Sequence, residues 1–463
     1  MILKRFYFLW FALITVVVQA QELSIDAMIR PRFEYRHGFQ DVAPDGAEPA
    51  AFVSQRSALL TKYSDSKITA LLDLQDVSIW GDRPQLSGND DAGNQFGFHL
   101  NRAWAEVKFG SGWSTKVGRQ FLSYDDQRIF GALGWQQQQR THDAALLKYT
   151  NESTKIDVGF AFNQNGRTNF NTRFQPSAVG RPLFQYKAMQ FVHASSKFSE
   201  SFKGSFLFIN NTFQNTPEND DPTPGTYSRQ TTGVFGDYNT SRFVLTGSFY
   251  YQFGQFTDAV DISAYQGSLF GGYKPESGAL KLIGLGAEIL SGNDGGAISE
   301  GETNAFFPLF GTNHKFNGFQ DFFYVGRHAN DVGLIDLHTK AVLKTGGKSK
   351  LIGFLHYFQG AADARSDEDD YLGTAIDLVF SQGITPYADI KIGYSQSFLN
   401  DDFANRRANF GRDLDTLPAV EADSVQNWGW VMLTIKPNLF KWKKATTQKA
   451  ETVQPPVVAP PTN

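Results

Sequence analysis

Short and long connections alternate along this chain between segments that have the residue pattern of β-strands. The short connections are tight and polar, whereas the long ones are rich in Gly, Asn and Asp. In an up-and-down membrane barrel, short turns collect at one rim and long loops at the other. A soluble β-sandwich gives no reason for loop lengths to sort in this way. The pattern therefore predicts an all-β fold, a transmembrane antiparallel up-and-down β-barrel with short periplasmic turns and long extracellular loops.

About 18 strands are predicted, an even number as in single-chain bacterial barrels. The predicted strands are 22–36, 52–63, 67–79, 98–109, 113–121, 142–150, 154–163, 185–198, 201–214, 228–239, 242–254, 262–273, 279–291, 330–344, 348–359, 370–381, 385–399 and 424–436. The longer connections include 37–51, 82–97, 122–141, 164–184, 215–227, 292–329 and 400–423. A barrel of about 16 to 18 strands leaves an aqueous channel unless loops fill it.

Residues 23–35 show that a predicted strand has two different faces. Odd positions such as Leu23, Ile25 and Phe33 are apolar, and even positions such as Arg30 and Arg32 are polar. Successive side chains of a strand point to opposite faces, and membrane barrels are apolar towards lipid and polar towards the lumen. We therefore expect Arg30 and Arg32 to face the lumen.

The two ends of the chain differ from the strand segments. Lys4 and Arg5 precede an apolar run at 6–18, which is shorter than the roughly 20 residues that a membrane-spanning helix needs. Small residues follow at a suitable place for cleavage, so residues 1–20 are predicted to be a signal peptide. The barrel is predicted to cover 21–440, and 441–463 to form a basic and then Pro-rich disordered tail.

Composition narrows the class of protein. The chain has 463 residues, no Cys and a net charge of -4. Absence of Cys excludes a disulfide-stapled fold, and the absence of a basic excess gives no indication of nucleic-acid binding. With the predicted barrel, these features indicate a protein of the bacterial outer membrane, in contact with outer-membrane lipid.

The lumen is predicted to carry charges of both signs. Guanidinium groups are concentrated in the first few strands, and a ring of them would attract an anionic solute. The predicted inward basic residues are Arg30, Arg32, Arg36, Arg56, Arg102, Lys108, Lys116, Lys148, Lys187, Lys340 and Lys391. The predicted inward acidic residues include Asp26, Glu34, Asp73, Glu106, Asp157, Glu288, Asp336, Asp377 and Asp389.

A dense group of charged and aromatic side chains occupies the connection around 122–141 and its flanking strands. Arg119 has the outward parity of Val117, which would place it against lipid at a cost of about 2–4 kcal/mol near the bilayer midplane. Either a bulge at Gly118 turns Arg119 inward, or Arg119 lies at the extracellular rim. Both placements remain open from the sequence.

Asp125 and Asp126 allow three interpretations: ion pairs with nearby arginines that order the loop, solute binding, or catalysis. Adjacent carboxylates on an extended strand point to opposite faces, which is poor geometry for a glycosidase acid and base. Ion pairing with Arg119, Arg128 or Arg140 is the preferred interpretation. His142 lacks a nucleophile or second metal ligand nearby in sequence and is expected to form hydrogen bonds in the loop.

The run GRQFLSYDDQRIFGALGWQQQQRTHDAALLKY at 118–149, together with FPLFGTNHKFNGF at 307–319, resembles the alginate export family of outer-membrane β-barrels. In that family a wide barrel conducts an acidic polysaccharide through an arginine-rich pore. The resemblance implies that the pore or pore-loop set here is Arg119, Asp125, Asp126, Arg128, Arg140, His142 and Asp143. With the inward residues Arg30, Arg32 and Arg102, these form the predicted solute-binding set.

The predicted function is therefore an outer-membrane channel for an anionic solute, such as the acidic polysaccharide alginate, with periplasmic export partners. No catalysis, cofactor or metal is expected. A general or small-anion porin is the main alternative, and it would conduct without preference for uronate oligomers. An outer-membrane enzyme would show turnover, and a structural surface barrel would show almost no conductance.

Overall fold

The computed structural model describes residues 21–82, 98–167, 169–170, 172, 174, 185–215, 225–323, 331–365, 368–409 and 418–444. These residues form one sheet of 20 strands. The strands are β1 (Glu22–His37), β2 (Ala50–Ser64), β3 (Ile68–Ile79), β4 (His99–Gly110), β5 (Trp113–Gln120), β6 (His142–Thr150), β7 (Thr154–Phe162), β8 (Ala188–Lys197), β9 (Phe202–Gln214), β10 (Thr226–Asn239), β11 (Phe243–Gln255), β12 (Asp261–Tyr273), β13 (Leu280–Leu290), β14 (Glu302–Thr303), β15 (Leu334–Lys344), β16 (Ser349–Gln359), β17 (Tyr371–Thr385), β18 (Ala388–Leu399), β19 (Val425–Ile435) and β20 (Asn438–Lys443).

The sheet closes on itself as an 18-stranded barrel. Each long strand pairs antiparallel with the next long strand along the chain, and β1 pairs with both β2 and β19. The remaining two strands are a two-residue bridge, β14, and β20, which continues the pairing of β19 with β1. β20 reaches Lys443, three residues beyond the predicted end of the barrel at 440. The predicted fold class is confirmed.

Side chains alternate between the two faces of the wall as the sequence predicted. On β1, Ile29 and Phe33 are exposed on the outer face, whereas Arg30, Arg32 and Glu34 are buried on the inner face. The outer face carries an apolar band, with exposed aromatic residues such as Trp113 and Tyr273 at strand ends. This division places the polar faces of the strands around a central lumen.

Two long connections fold back into the lumen. The first is 121–141, between β5 and β6, and we call it the lumen segment. The second is 304–323, between β14 and β15, and its backbone joins the lumen segment through a parallel bridge between Phe130 and Phe310. Both contribute to a buried apolar cluster that also contains Phe191 and Tyr250 of the wall. The interior is therefore partly filled by these connections.

A short helix, α1 (Asp401–Ala408), follows β18 and begins at Asn400, whose side chain accepts hydrogen bonds from the backbone N–H groups of Asp402 and Phe403. In the described part of the chain, no helix is long and apolar enough to cross a membrane. The predicted signal peptide at 1–20 and most of the predicted tail, from 445 onwards, lie outside the described residues.

Candidate functional site

The first part of the lumen segment is held against the wall by its tyrosine and its first aspartate. Tyr124 donates a hydrogen bond from its hydroxyl to Asp157 of β7, at 2.8 Å. Asp125 accepts from Ser205 of β9 at 2.7 Å and lies 3.1 Å from Nε2 of His193 in β8. These contacts fix the start of the segment on the wall formed by β7 to β9.

Further along, Arg128 crosses to the wall at β13. Its guanidinium donates a hydrogen bond to Glu288, and its carbon Cζ lies 3.7 Å from the centre of the Phe316 ring. Both partners of the ion pair are buried, with side chains 2% and 5% exposed. Arg140 donates to the carbonyl of Gly311 at 3.0 Å. The two inward connections are thus tied to each other and to β13.

Among the residues that the structure describes, Asp126 pairs with no arginine side chain. Its carboxylate accepts a hydrogen bond from the backbone N–H of Arg128 at 3.0 Å. Burial raises the pKa of the Asp126 carboxyl above its ordinary value, and the nearby Arg128 charge opposes this only in part. The expected ion pairs of Asp125 and Asp126 with arginines are therefore wrong in their partners, although both carboxylates do order the segment.

The tip of the lumen segment, 134–138, lies on the wall formed by β1 to β3. Arg30 donates to the carbonyls of Gly134, Trp135 and Gln136 at 2.8, 3.1 and 3.1 Å. Arg56 donates to the carbonyls of Gln136 and Gln137. The guanidinium groups act here as forks that bind backbone oxygens, since each presents several N–H donors in fixed directions.

Arg32 contacts the same tip from the next inward position of β1. It donates to the Trp135 carbonyl at 2.8 Å, and its Cζ lies 4.0 Å from the centre of the Trp135 ring. The carboxylate of Glu34, fully buried, pairs with Arg32 and also with Arg36, both at 2.8 Å. One carboxylate therefore serves two guanidinium groups.

These residues form what we call the basic wall: Arg30, Arg32, Arg36, Arg56 and Arg102, with Glu34 and Asp73. Arg30 and Arg56 are directly opposite each other in the pairing of β1 with β2, an arrangement in which like charges repel. Within the described residues neither is in contact with a carboxylate. Asp73 pairs with Arg102 at 2.8 Å and attracts Arg56 only from a longer distance. Hydrogen bonds to carbonyls stabilise these guanidinium groups without neutralising them, so the wall keeps a net positive charge.

A cavity of about 330 Å³ lies between the basic wall and the tip of the lumen segment. It lies towards the rim that carries the long connections, since its lining includes the ends of β1 and β3 that precede such connections. Its charged lining groups are Arg32, Glu34 and Arg36, and its aromatic lining consists of Phe39, Phe52 and Trp135. The volume lies near the lower end of the range for small-molecule sites, about 300–1,000 Å³.

Trp135 is fixed by an aromatic cluster that the sequence did not indicate. Its ring stacks on His314 at 4.8 Å and packs against Trp428 and Trp430 of β19. His314 is in turn bonded through Nδ1 to Asp321 at 2.9 Å. Trp428 and Trp430 lie on a predicted strand, where alternation places both on the same face. His314 could not be predicted as their partner, because it lies in a connection with no periodic pattern.

The part of the wall formed by β13 and β15 to β17 carries carboxylates and histidines. Glu288, Asp336 and Asp377 are buried on β13, β15 and β17, together with His356 of β16. Asn317 of the second connection donates to Glu288 at 2.8 Å and to Asp336 at 3.1 Å. The predicted inward parity of the three carboxylates agrees with their burial, but their grouping with histidines was not predicted.

The structure places Arg119 and Asp143 outside the lumen, and their assignment to the pore set is wrong. They pair with each other at 2.6 Å, directly opposite in the register of β5 and β6, with side chains 44% and 51% exposed. Gly118 has a φ of 121°, yet the pairing of β4 with β5 shows no register shift there. Arg119 therefore lies near the rim, which is the second of its two expected placements.

The other predicted residues lie inside. Arg30, Arg32 and Arg102 belong to the basic wall, whereas Asp125, Asp126, Arg128 and Arg140 belong to the lumen segment. His142, on β6, is buried, and its Nδ1 lies 2.8 Å from the hydroxyl of Tyr186. The hydrogen-bonding role expected for His142 thus has a defined partner, 44 residues away in the chain.

Comparison with solved structures finds outer-membrane proteins of the same fold. OccAB1 of Acinetobacter baumannii has 13% sequence identity and a TM-score of 0.59, over 90% of this chain and 97% of that chain. OccK2 (OpdF) of Pseudomonas aeruginosa, solved in complex with glucuronate, has 11% identity and a TM-score of 0.55 over 90% and 98%. OpdK of P. aeruginosa with vanillate has 9% identity and a TM-score of 0.56 over 91% and 99%.

No family model and no curated protein sequence matches this chain. The comparisons give no support to the resemblance to the alginate export family. At these low identities, the structural likeness establishes the fold. The chain is a closed, 18-stranded antiparallel β-barrel with the fold of these Occ and Opd proteins.

Proposed function

We propose that this protein is an outer-membrane channel for small anionic solutes, which bind beside the basic wall on their way through the lumen. One observation carries the proposal. Arg30, Arg32 and Arg56 lie on adjacent strands inside the barrel, and of these only Arg32 has an ion-paired carboxylate among the described residues. Hydrogen bonds to the tip of the lumen segment hold Arg30 and Arg56 in place, and their charges, which no carboxylate among the described residues pairs, make this part of the lumen positive.

The chemistry of the wall favours carboxylates. Guanidinium groups bind carboxylates through parallel N–H donors, and a cleft lined by one sign of charge concentrates ions of the other sign. Arg36 is the best placed of the five arginines to meet a solute, because it lines the cavity and its side chain is 30% exposed. Trp135 and Phe39 offer apolar surface beside it.

The size of the available space favours a small solute over a polymer. The lumen segment extends from the wall at β7 to β9 to the basic wall, and the second connection packs against it. Two of the similar solved structures contain the small carboxylates glucuronate and vanillate. These features support the small-anion alternative rather than passage of alginate.

Catalysis has no part in the proposal. Asp125 is engaged with His193 and Ser205 in positioning the lumen segment, and His142 is engaged with Tyr186. We propose a passive channel in which solutes follow their concentration gradient.

The test is current block in planar bilayers by glucuronate, with glucose as the neutral comparison and oligomannuronate as the polymer comparison. We expect glucuronate to reduce the current in a saturable manner and glucose to leave it unchanged. A hydrogen bond to a charged group contributes about 1.5–3 kcal/mol, and 1.4 kcal/mol is tenfold in affinity. Arg36→Gln should therefore raise the glucuronate concentration needed for half-block by up to about tenfold. Solvent screening at the partly exposed Arg36 side chain reduces the effect below the full value for a charged hydrogen bond.

Arg119→Gln is the matched control, because it removes a guanidinium group from the outer rim. We expect it to leave the glucuronate block unchanged. Equal effects of the two substitutions, or stronger block by oligomannuronate than by glucuronate, would contradict the proposal.

A further inference from the structure

Three side chains on neighbouring strands bring potential metal ligands together on the inner face of β15 and β16. Asp336 and His338 are two residues apart on β15, so both face inward, and His356 of β16 is directly opposite His338. Nδ1 of His356 lies 2.8 Å from Oδ1 of Asp336, and Nδ1 of His338 lies 3.6 Å from the same oxygen. One ligand atom from each residue lies within 4.8 Å of the others.

These spacings are compatible with a shared ion. Zn²⁺ binds imidazole nitrogen at about 2.0–2.1 Å and carboxylate oxygen at about 2.0–2.2 Å. In a tetrahedral site with those bond lengths, neighbouring ligand atoms are about 3.3 Å apart. The two distances from Asp336 Oδ1 lie on either side of this value. The two histidine nitrogens, which are within 4.8 Å of each other, would move closer together on binding one ion.

His338 has a nitrogen with no hydrogen-bond partner. Its Nδ1 is buried from solvent and forms no hydrogen bond, although a carboxylate oxygen lies 3.6 Å away. The ring lies over Gly286, where a Cβ would be 2.2 Å from Nε2, and stacks on Phe270 at 6.2 Å. Glycine at 286 therefore makes room for this ring, which keeps Nδ1 near Asp336.

The ligands are oriented by further polar groups, as in established metal sites. Asn317 donates to the second oxygen of Asp336 at 3.1 Å. The other ring nitrogen of His356 lies 3.6 Å from Oδ2 of Asp377, which accepts the backbone N–H of Phe319 at 3.0 Å. A carboxylate behind a histidine ligand fixes the ring and raises its basicity.

The surrounding charge also favours a cation. Glu288, Asp336 and Asp377 are buried nearby, and Arg128 neutralises Glu288. Lys340 follows on the same face of β15, but its ammonium lies against the rings of Phe354, at 5.3 Å, and Phe270, at 5.8 Å. Two carboxylates are therefore left beside the histidines.

We propose that Asp336, His338 and His356 bind a divalent transition-metal ion such as Zn²⁺ in the lumen wall. The three ligands leave a coordination position open, as in zinc sites that retain a water molecule. This position faces the lumen, because the His338 side chain is 20% exposed. Mixed imidazole and carboxylate ligands suit Zn²⁺ better than Ca²⁺ or Mg²⁺. The proposal departs from the expectation of no metal site and does not depend on which solute the channel conducts.

Calorimetric titration of the metal-free, full-length protein with Zn²⁺ in detergent tests the site. We expect one ion per chain. His338→Ala should abolish this binding, and Asp377→Asn should weaken it by about 10–100-fold. His37→Ala, at the extracellular end of β1, is the matched control and should bind as the unchanged protein does. Each variant is compared only if it keeps the heat-modifiable electrophoretic mobility of a folded barrel.

A second measurement needs no variant. The visible absorption spectrum of the Co²⁺-loaded protein distinguishes a low-coordinate site with imidazole ligands from a hydrated, six-coordinate ion. We expect intense low-coordinate bands that disappear when Zn²⁺ is added in competition. Failure of the unchanged protein to bind Zn²⁺, a six-coordinate Co²⁺ spectrum, or binding that survives His338→Ala would each overturn the proposal.

Discussion

The ion pair between Arg128 and Glu288 should be the strongest single anchor of the lumen segment. Both side chains are almost fully buried, and Arg128→Met keeps much of the packing volume while removing the charge. Removing one partner of a buried pair costs about 3–5 kcal/mol, because the other charge is left uncompensated. We therefore expect Arg128→Met to lower the free energy of unfolding by about 3 kcal/mol.

A double-mutant cycle isolates this pairwise contribution. In Arg128→Met with Glu288→Gln, both charges of the pair are removed together, so the double variant should be less destabilised than the sum of the single variants. We expect a coupling energy of about 2 kcal/mol, in the upper part of the range for contacting residues. The assay is urea-dependent folding into phospholipid vesicles, followed by tryptophan fluorescence.

The exposed pair of Arg119 and Asp143 provides the matched control cycle. Exposed ion pairs contribute about 0–1 kcal/mol, and both of these side chains are more than two-fifths exposed. A coupling energy for Arg128 and Glu288 no larger than that of the control would refute the assignment of Arg128 as an anchor. Loss of the anchor should also let the lumen segment move, which would increase the noise of the single-channel current. Unchanged noise in the Arg128→Met channel would independently contradict the assignment of Arg128 as an anchor.

Two further predictions concern the region around the lumen segment. Gly118→Ala should destabilise the barrel by about 1–3 kcal/mol, because φ is 121° and a Cβ would lie 2.2 Å from the Ala103 carbonyl oxygen. Gly347→Ala is the control, because a Cβ there meets nothing within 4 Å. Equal urea midpoints of unfolding for the two variants would contradict this prediction. Burial raises the pKa of Asp126, so its contribution to stability is full below the ordinary carboxyl pKa and is lost as pH rises through the raised value. The free energy of unfolding of Asp126→Asn, relative to that of the unchanged protein, should therefore rise from acidic to neutral pH. The same difference in free energy at acidic and at neutral pH would contradict this prediction.

The strands and their parity could be predicted from the sequence because both depend on local patterns. Period-two alternation identified the lumen face of β1, including Arg30 and Arg32, and turn chemistry located the short connections. For Arg119, the strand alternation and the family resemblance gave different predictions. Its parity pointed outward, whereas the family resemblance assigned it to the pore.

The partners of the lumen segment could not be predicted, because they are distant in the chain. Arg30 binds carbonyls more than 100 residues away, and Asp125 meets His193 68 residues away. No periodic pattern marks which carbonyl or histidine a folded connection will reach. The grouping of histidines with carboxylates on β13 and β15 to β17 was not predicted for the same reason. Strand alternation did predict that Asp336 and Asp377 face inward.

If the proposed function is correct, the basic wall makes the lumen selective for anions. The most direct measurement is the reversal potential of the purified channel in a planar bilayer with a KCl gradient. We expect a potential of the sign set by chloride, and a shift towards the potassium value in Arg36→Gln but not in Arg119→Gln. A potential of the sign set by potassium in the unchanged protein would refute anion selectivity.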